Sequence, residues 1–223
     1  MSKFMTKELL VSDLISSGCL KTPSIINAFK KVDRADFVLP EYGGVAYEDH
    51  ALPIGFGQTI SQPLTVAMML EWLQPKPGQK ILDIGCGSGW TTALLSSIVG
   101  KKGKVIGIER IPELVDFARN NMKKCFMKIA STSLPAEALA KAGTVVQEDG
   151  SKGYAKEAPY DRILASAAGK DIPTEWKEQL KVGGRIVAPV KESVSVIDKL
   201  SSDKYQTIEH WGFAFVPLIR EQR

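Results

Sequence analysis

The stretch KILDIGCGSGW (80–90) decides the fold. Lys80 to Ile84 read as a buried strand, glycines stand at 85, 87 and 89, and Trp90 opens an apolar helical run to Val99 that Gly100 stops. Glycines alternating between a strand and a helix mark a place where backbone must approach a ligand closely and amides can point at it. In a dinucleotide fingerprint the third glycine would fall three positions after the second, where this chain has Trp90. The turn therefore reads as a cofactor turn with a defect for hydride chemistry.

Outward from this turn, strand and helix patterns alternate. KVIGIE (104–109) reads as a strand, 112–124 as a helix, TVVQ (144–147) and DRILASA (161–167) as strands, 173–180 as a helix and GGRIVAPV (183–190) as a strand. Such alternation implies βαβ crossovers and a largely parallel sheet. The expected fold is α/β, a Rossmann-like doubly wound sheet. Segments 194–200 and 208–219 have strand character with no helix between them, which predicts an antiparallel C-terminal hairpin at the sheet edge. Upstream, 6–17 and 23–32 read as helices, the second with Thr22 as N-cap and Pro23 in its first position. Residues 35–61 read as ordered loop. Pro63 restarts a helix with Val66, Met69, Leu70 and Leu73 at i, i+3, i+4 and i+7, closed by Pro75 and Pro77. A single domain over 1–223 is expected, with an N-terminal helical and loop extension (1–62) and an α/β core (63–223).

The 223 residues carry a net charge of +4, with scattered lysines, which does not indicate nucleic-acid binding. Cys19, Cys86 and Cys125 form no CxxC and no even set, the usage of a reducing compartment. No apolar run approaches the ~20 residues of a membrane span, and no leader pattern stands at the N-terminus. A cytoplasmic monomer with neither a metal nor a membrane partner is expected.

An acid two residues before three alternate glycines resembles the first motif of class I S-adenosylmethionine-dependent methyltransferases. The resemblance implies S-adenosyl-L-methionine as cofactor and S-adenosyl-L-homocysteine as product. It puts Asp83 near the methionine amino end, with Ile84, Gly85, Cys86, Gly87, Ser88 and Gly89 bordering the amino-acid portion. Glu109 ends the next strand, 20 residues after Gly89. An acid there can accept from both ribose hydroxyls. Asp149 and Gly150, at the end of the third strand, match the place from which the family contacts adenine.

The segment AYEDHALPIGFGQTISQP (46–63), with VDRADFVLP, APYDRILASAA and FVPL around it, resembles the protein-L-isoaspartate (D-aspartate) O-methyltransferase family from about Val32 to Leu218. That family methylates the free α-carboxylate of isoaspartyl residues in damaged proteins. The ester then collapses to a succinimide, which partly hydrolyses to aspartate. The resemblance makes Ser61 the catalytic residue, places Thr59 and Ile60 beside peptide and cofactor, and leaves Gln58 and Gln62 as donors without a decided role.

The chemistry is consistent with so plain a loop. A carboxylate with an ordinary pKa near ~3.5–4 is already an anion at neutral pH, so its site needs positioning and donors rather than a base. Ser61 also stands where a helix N-cap would, and the two roles are compatible. His50 reads as a loop residue, and Tyr47, Phe56 and Trp90 as packing. The chain departs from the family pattern at Cys86, Glu148 and in segment 125–143, which reads as a surface insertion. The rival readings are a related methyltransferase acting on RNA or a small molecule, and a non-catalytic cofactor-binding adaptor.

Overall fold

A computed structural model of the chain describes residues 5–130 and 143–219. Helix α1 (Lys7–Ser16) is capped by the Thr6 hydroxyl, and α2 (Pro23–Lys31) begins on its proline. Thr22 makes no side-chain cap, contrary to expectation, because Glu71 takes both its hydroxyl (2.6 Å) and its amide (2.7 Å). Two 3₁₀ turns, Arg34–Phe37 and Pro40–Val45, lead into a hairpin of β1 (Leu52–Gly55) and β2 (Gln58–Ile60). The sequence reading expected loop here. Strands of four and three residues, interrupted by Pro53, Gly55 and Gly57, carry too little alternation to register.

Helix α3 (Pro63–Leu73) buries Val66, Met69, Leu70 and Leu73, and Gln74 ends it in the left-handed region at φ 51°. Two arginines bind its last carbonyls: Arg162 Nε donates to Leu73 O (2.9 Å) and Arg185 Nη1 to Trp72 O (2.7 Å). Cations at a helix C-terminus are favourable, and a charged donor contributes about 1.5–3 kcal/mol. Arg162→Met is therefore expected to cost about 2 kcal/mol in denaturant unfolding while leaving affinity for S-adenosyl-L-homocysteine unchanged. An unmoved midpoint would show that water serves Leu73 O equally well.

The main sheet follows: β3 (Lys80–Ile84), α4 (Trp90–Val99), β4 (Lys104–Glu109), α5 (Pro112–Ala130), β5 (Gly143–Gln147), β6 (Tyr160–Ala165), α6 (Thr174–Glu178), β7 (Leu180–Val190), β8 (Ser193–Lys199) and β9 (Tyr205–Trp211). Its order is β5-β4-β3-β6-β7-β8-β9, parallel through β7 and antiparallel for β8 and β9. Alternate residues serve two cores. Ile81, Val105, Leu164 and Val187 pack with α1–α5, and Leu82, Ile84, Ile108 and Ile186 pack with Trp176 and Leu180 on the other face. Burying each such side chain contributes about 1.5–3 kcal/mol.

Three boundaries differ from expectation. Helix α5 runs six residues past Lys124 because Cys125, Phe126 and Ile129 continue its buried face, so that part of the supposed insertion is core. Residues 131–142, the rest of that segment, lie outside the described residues. Helix α6 stops at Glu178, since buried Leu180 pairs with Tyr160 and starts β7 three residues before Gly183. Strand β9 ends at Trp211, and Gly212 at φ 93° turns the chain back across the sheet's carboxyl edge.

Candidate active site

The connections reverse direction between β3 and β6, and open α/β sheets bind ligands at the carboxyl ends of strands beside such a switch. A cleft lies there, about 830 Å³ counted to its mouth, the size a nucleoside carrying an amino acid needs. Its floor is the turn after β3, its sides are the ends of β4 and β6, and Gly150 lies beyond β5.

Gly85, Gly87 and Gly89 all have positive φ (72°, 52° and 87°), a conformation that L side chains rarely adopt. Most amides of the turn face inward rather than toward a ligand. Those of Gly85 and Cys86 donate to Ile108 O (2.8 and 3.0 Å), and that of Gly89 donates to Cys86 O (2.8 Å). What the turn offers is space: a Cβ on Gly87 would lie 3.2 Å from Ile54 Cδ1 on the hairpin. A Cβ on Gly150 would lie 2.6 Å from Ile84 Cγ2. Cys86 and Ser88 line the cleft, whereas Gly89 packs behind it on Ala118 and Met122.

Asp83 does not line the cleft either. It is fully buried beneath the turn, where Oδ2 accepts from Thr91 Oγ1 (2.8 Å) and Thr92 Oγ1 (2.6 Å) and Oδ1 has no partner. Burial pushes its carboxyl up to about 6; the two threonine hydroxyls oppose the shift and Glu109 adds to it. Glu109 does line the cleft. Its Oε2 accepts from Gly87 N (3.1 Å), and its Oε1 from Arg110 N (2.8 Å) and Ile111 N (3.0 Å), which joins the glycine turn to the start of α5. Asp149 turns away from the cleft. Its Oδ1 accepts from the Ser151 amide (3.0 Å) and hydroxyl (2.8 Å). Burial pushes the Asp149 carboxyl up, but Ser151 and Lys152 outweigh it and hold it below its usual range.

The opposite wall is Gln58, Thr59, Ile60 and Ser61, with Ile60 buried in the core. A second hollow adjoins the cleft, lined by Asp49, His50 and Thr65, and Thr59, Ser61, Ser166 and Val216 border both. Ser61 is not the N-cap of α3. That position is Gln62, while Asp49 Oδ1 accepts from Leu64 N (2.8 Å) and Asp49 Oδ2 from Gln62 Nε2 (3.1 Å). The Ser61 hydroxyl makes no hydrogen bond among the described residues, and it stands on the ridge between cleft and hollow.

Three features escaped the sequence reading. Asp49 supplies the helix cap from a loop. The strap Val216–Ile219 closes the cleft: Ala168 N donates to Val216 O (2.8 Å), Leu218 N to Ala168 O (2.8 Å), and Arg110 Nη1 to Ile219 O (3.2 Å). Arg34 is buried, with Nη1 donating to Ala46 O (2.5 Å) and Nη2 to His50 O (3.0 Å) and Ser61 O (3.1 Å). Burial pushes its pKa down to about 10, with Asp49 opposing. Only the motifs VDRADF and FVPL pointed toward Arg34 and the strap. Phe56, read as packing, is instead 58% exposed at the hairpin tip. Tyr47 donates to Asp33 Oδ1 (2.7 Å), and Trp90 is buried edge to face against Phe29. Among the described residues no group of three or more His, Cys, Asp or Glu could hold a metal ion, and no helix is long and apolar enough to cross a membrane.

Sheet order, glycine turn and the acid at the end of β4 together define the class I S-adenosylmethionine-dependent methyltransferase fold. The crystal structure of a Plasmodium falciparum protein, described as a protein-L-isoaspartate O-methyltransferase in complex with S-adenosyl-L-homocysteine, superposes with a TM-score of 0.82 at 23% identity over 97% of this chain and 99% of that one. The chain belongs to the protein-L-isoaspartate(D-aspartate) O-methyltransferase family, whose family model matches residues 5–223. Relatives named protein-L-isoaspartate O-methyltransferase include one from Methanopyrus kandleri, 43% identical over 97% of this chain and 92% of its own length. Another, from Thermococcus onnurineus, is 42% identical over 95% of this chain and 92% of its own length.

Proposed function

We propose that the chain transfers a methyl group from S-adenosyl-L-methionine to the free α-carboxylate of L-isoaspartyl residues in damaged proteins, with the Ser61 ridge holding the acceptor. The observation that carries this reading is the unbonded Ser61 hydroxyl at the junction of a cofactor-sized cleft and a second, open hollow. A peptide lying in the hollow can present a carboxylate to the cleft over that ridge.

The residues present fit the cofactor. The turn is bare of side chains where one would intrude, Glu109 carries acceptor oxygens for a ribose, and Gly150 leaves the purine end open. Asp83, fully buried beneath the turn, would favour the cofactor's ammonium through its charge alone. S-adenosyl-L-methionine, when bound, supplies a methyl group activated by a positive sulfur. The chain's own part is to aim a carboxylate at it, to exclude water with the strap, and to leave the acceptor ionised. No proton has to move, because the acceptor is already an anion. Asp49, the acid of the hollow, is engaged in capping α3, so it is poorly placed to act as a base.

The same reading puts the protein in a reducing compartment, in keeping with its three free thiols, two of them buried. The reading takes the protein to act as a monomer.

The test uses labelled cofactor and paired peptides that differ only in isoaspartyl or aspartyl linkage, with RNA as a further acceptor arm. Labelling confined to the isoaspartyl peptide is expected; equal labelling of both peptides, or transfer to RNA alone, overturns the reading. Ser61→Ala is expected to lower kcat/KM by roughly tenfold or more, the worth of one hydrogen bond to a charged group. Because Ser61 does not cap α3, the thermal midpoint of this variant should not move. A variant that loses stability in proportion to activity would return Ser61 to a structural role.

A further inference from the structure

We infer that Arg34 is the positioning residue of the acceptor loop, a buried guanidinium that ties the two open ends of the β1–β2 hairpin together and fixes Ser61 against the cofactor cleft. Ala46 and His50 precede the hairpin and Ser61 follows it, and one side chain donates to the carbonyls of all three. The hairpin needs such a tie. Its strands span four and three residues, and Gly55, Phe56 and Gly57 at its tip all have positive φ (91°, 54° and 69°). A two-stranded ribbon of that length has little stability of its own, and a non-glycine residue in the left-handed region persists only where the surroundings impose it.

Arg34 also reaches the cofactor side. Its guanidinium carbon lies 5.3 Å from the centre of the Trp90 ring, the first residue of α4 and part of the cleft wall. One planar group thus spans the acceptor loop and the helix that follows the glycine turn. A lysine has one nitrogen on a flexible stem, with neither the fork for three carbonyls nor the flat face for an indole. Arg34 is 2% exposed, and its Nη2 serves both His50 O and Ser61 O, so a shift of the guanidinium moves both carbonyls. Misplacement of a reacting group by about 1 Å can lower a rate by about a hundredfold.

This inference rests on Ser61 holding the acceptor. The experiment is a double-mutant cycle of Arg34→Lys and Ser61→Ala, measuring kcat and KM on an isoaspartyl peptide and the calorimetric Kd for S-adenosyl-L-homocysteine. Arg34→Lys is expected to lower kcat by roughly thirtyfold while the Kd stays within about threefold. The double variant should be no slower than the slower single one, because a misplaced Ser61 has nothing left to lose. Multiplicative losses, or an Arg34→Lys enzyme with wild-type kcat, overturn the proposal. So does a variant that will not fold in saturating S-adenosyl-L-homocysteine, since the guanidinium would then hold the whole fold rather than the loop. A wild-type protein inert toward the isoaspartyl peptide would refute the reading of the site itself, whereas an active wild type with an additive cycle would refute the role of Arg34 alone.

Discussion

Glu109→Ala is expected to weaken binding of S-adenosyl-L-homocysteine by about a hundredfold or more. Two ribose hydroxyls donating to one carboxylate contribute about 1.5–3 kcal/mol each, so losing both costs about 3 kcal/mol or more. The same substitution releases the amides of Gly87, Arg110 and Ile111, which now converge on that carboxylate. The turn and the start of α5 then lose their common anchor, and the loss should exceed what the ribose alone accounts for. Glu109→Gln, which keeps the shape and one acceptor oxygen, is expected to fall between the two. Calorimetric titration decides the matter: an alanine variant within about threefold of wild type would remove Glu109 from the ribose site.

The second large effect lies beneath the turn. A carboxyl raised to about 6 in the folded protein, against an ordinary 3.8, makes its full contribution to stability below about pH 3.8 and loses it as the pH rises through 6. Two pH units correspond to about 3 kcal/mol, and Asp83 is fully buried, so solvent screening does not discount it. The cofactor-free wild type should therefore lose about that much relative to Asp83→Asn between pH 4 and pH 7. Unfolding both proteins in denaturant across that range isolates Asp83, because the other groups titrate alike in each. A difference independent of pH would mean that Asp83 does not change charge in this window.

Much of this architecture was legible because its signals are local. A glycine turn between KILDI and an apolar helix, and an acid closing the next strand, are statements about neighbours in sequence, and the sheet from β3 to β8 follows from them. The β1–β2 hairpin was not legible, since its strands are short and held by Arg34 from outside. The N-cap of α3 was not either: Asp49 stands 15 positions from the amide it accepts. Leu180 shows the converse error, an apolar residue counted into a helix because its sheet partner Tyr160 is distant in the chain. Among the candidate residues, Glu109 and Ser61 lie where the motif and the wall of the cleft coincide. Asp83 and Asp149 stand behind that wall, since a motif records which residues a turn needs and not which way each one faces.

The strap bears on how the enzyme comes into being. Val216 to Ile219 complete the cleft, yet they are translated after every strand of the sheet. A nascent chain can pair β3 with β4 and β6 long before it owns a site that retains a nucleoside. Cofactor retention thus reports a translated and docked C-terminal segment, and a fragment clipped at the Gly212 turn would keep its sheet while letting the cofactor go.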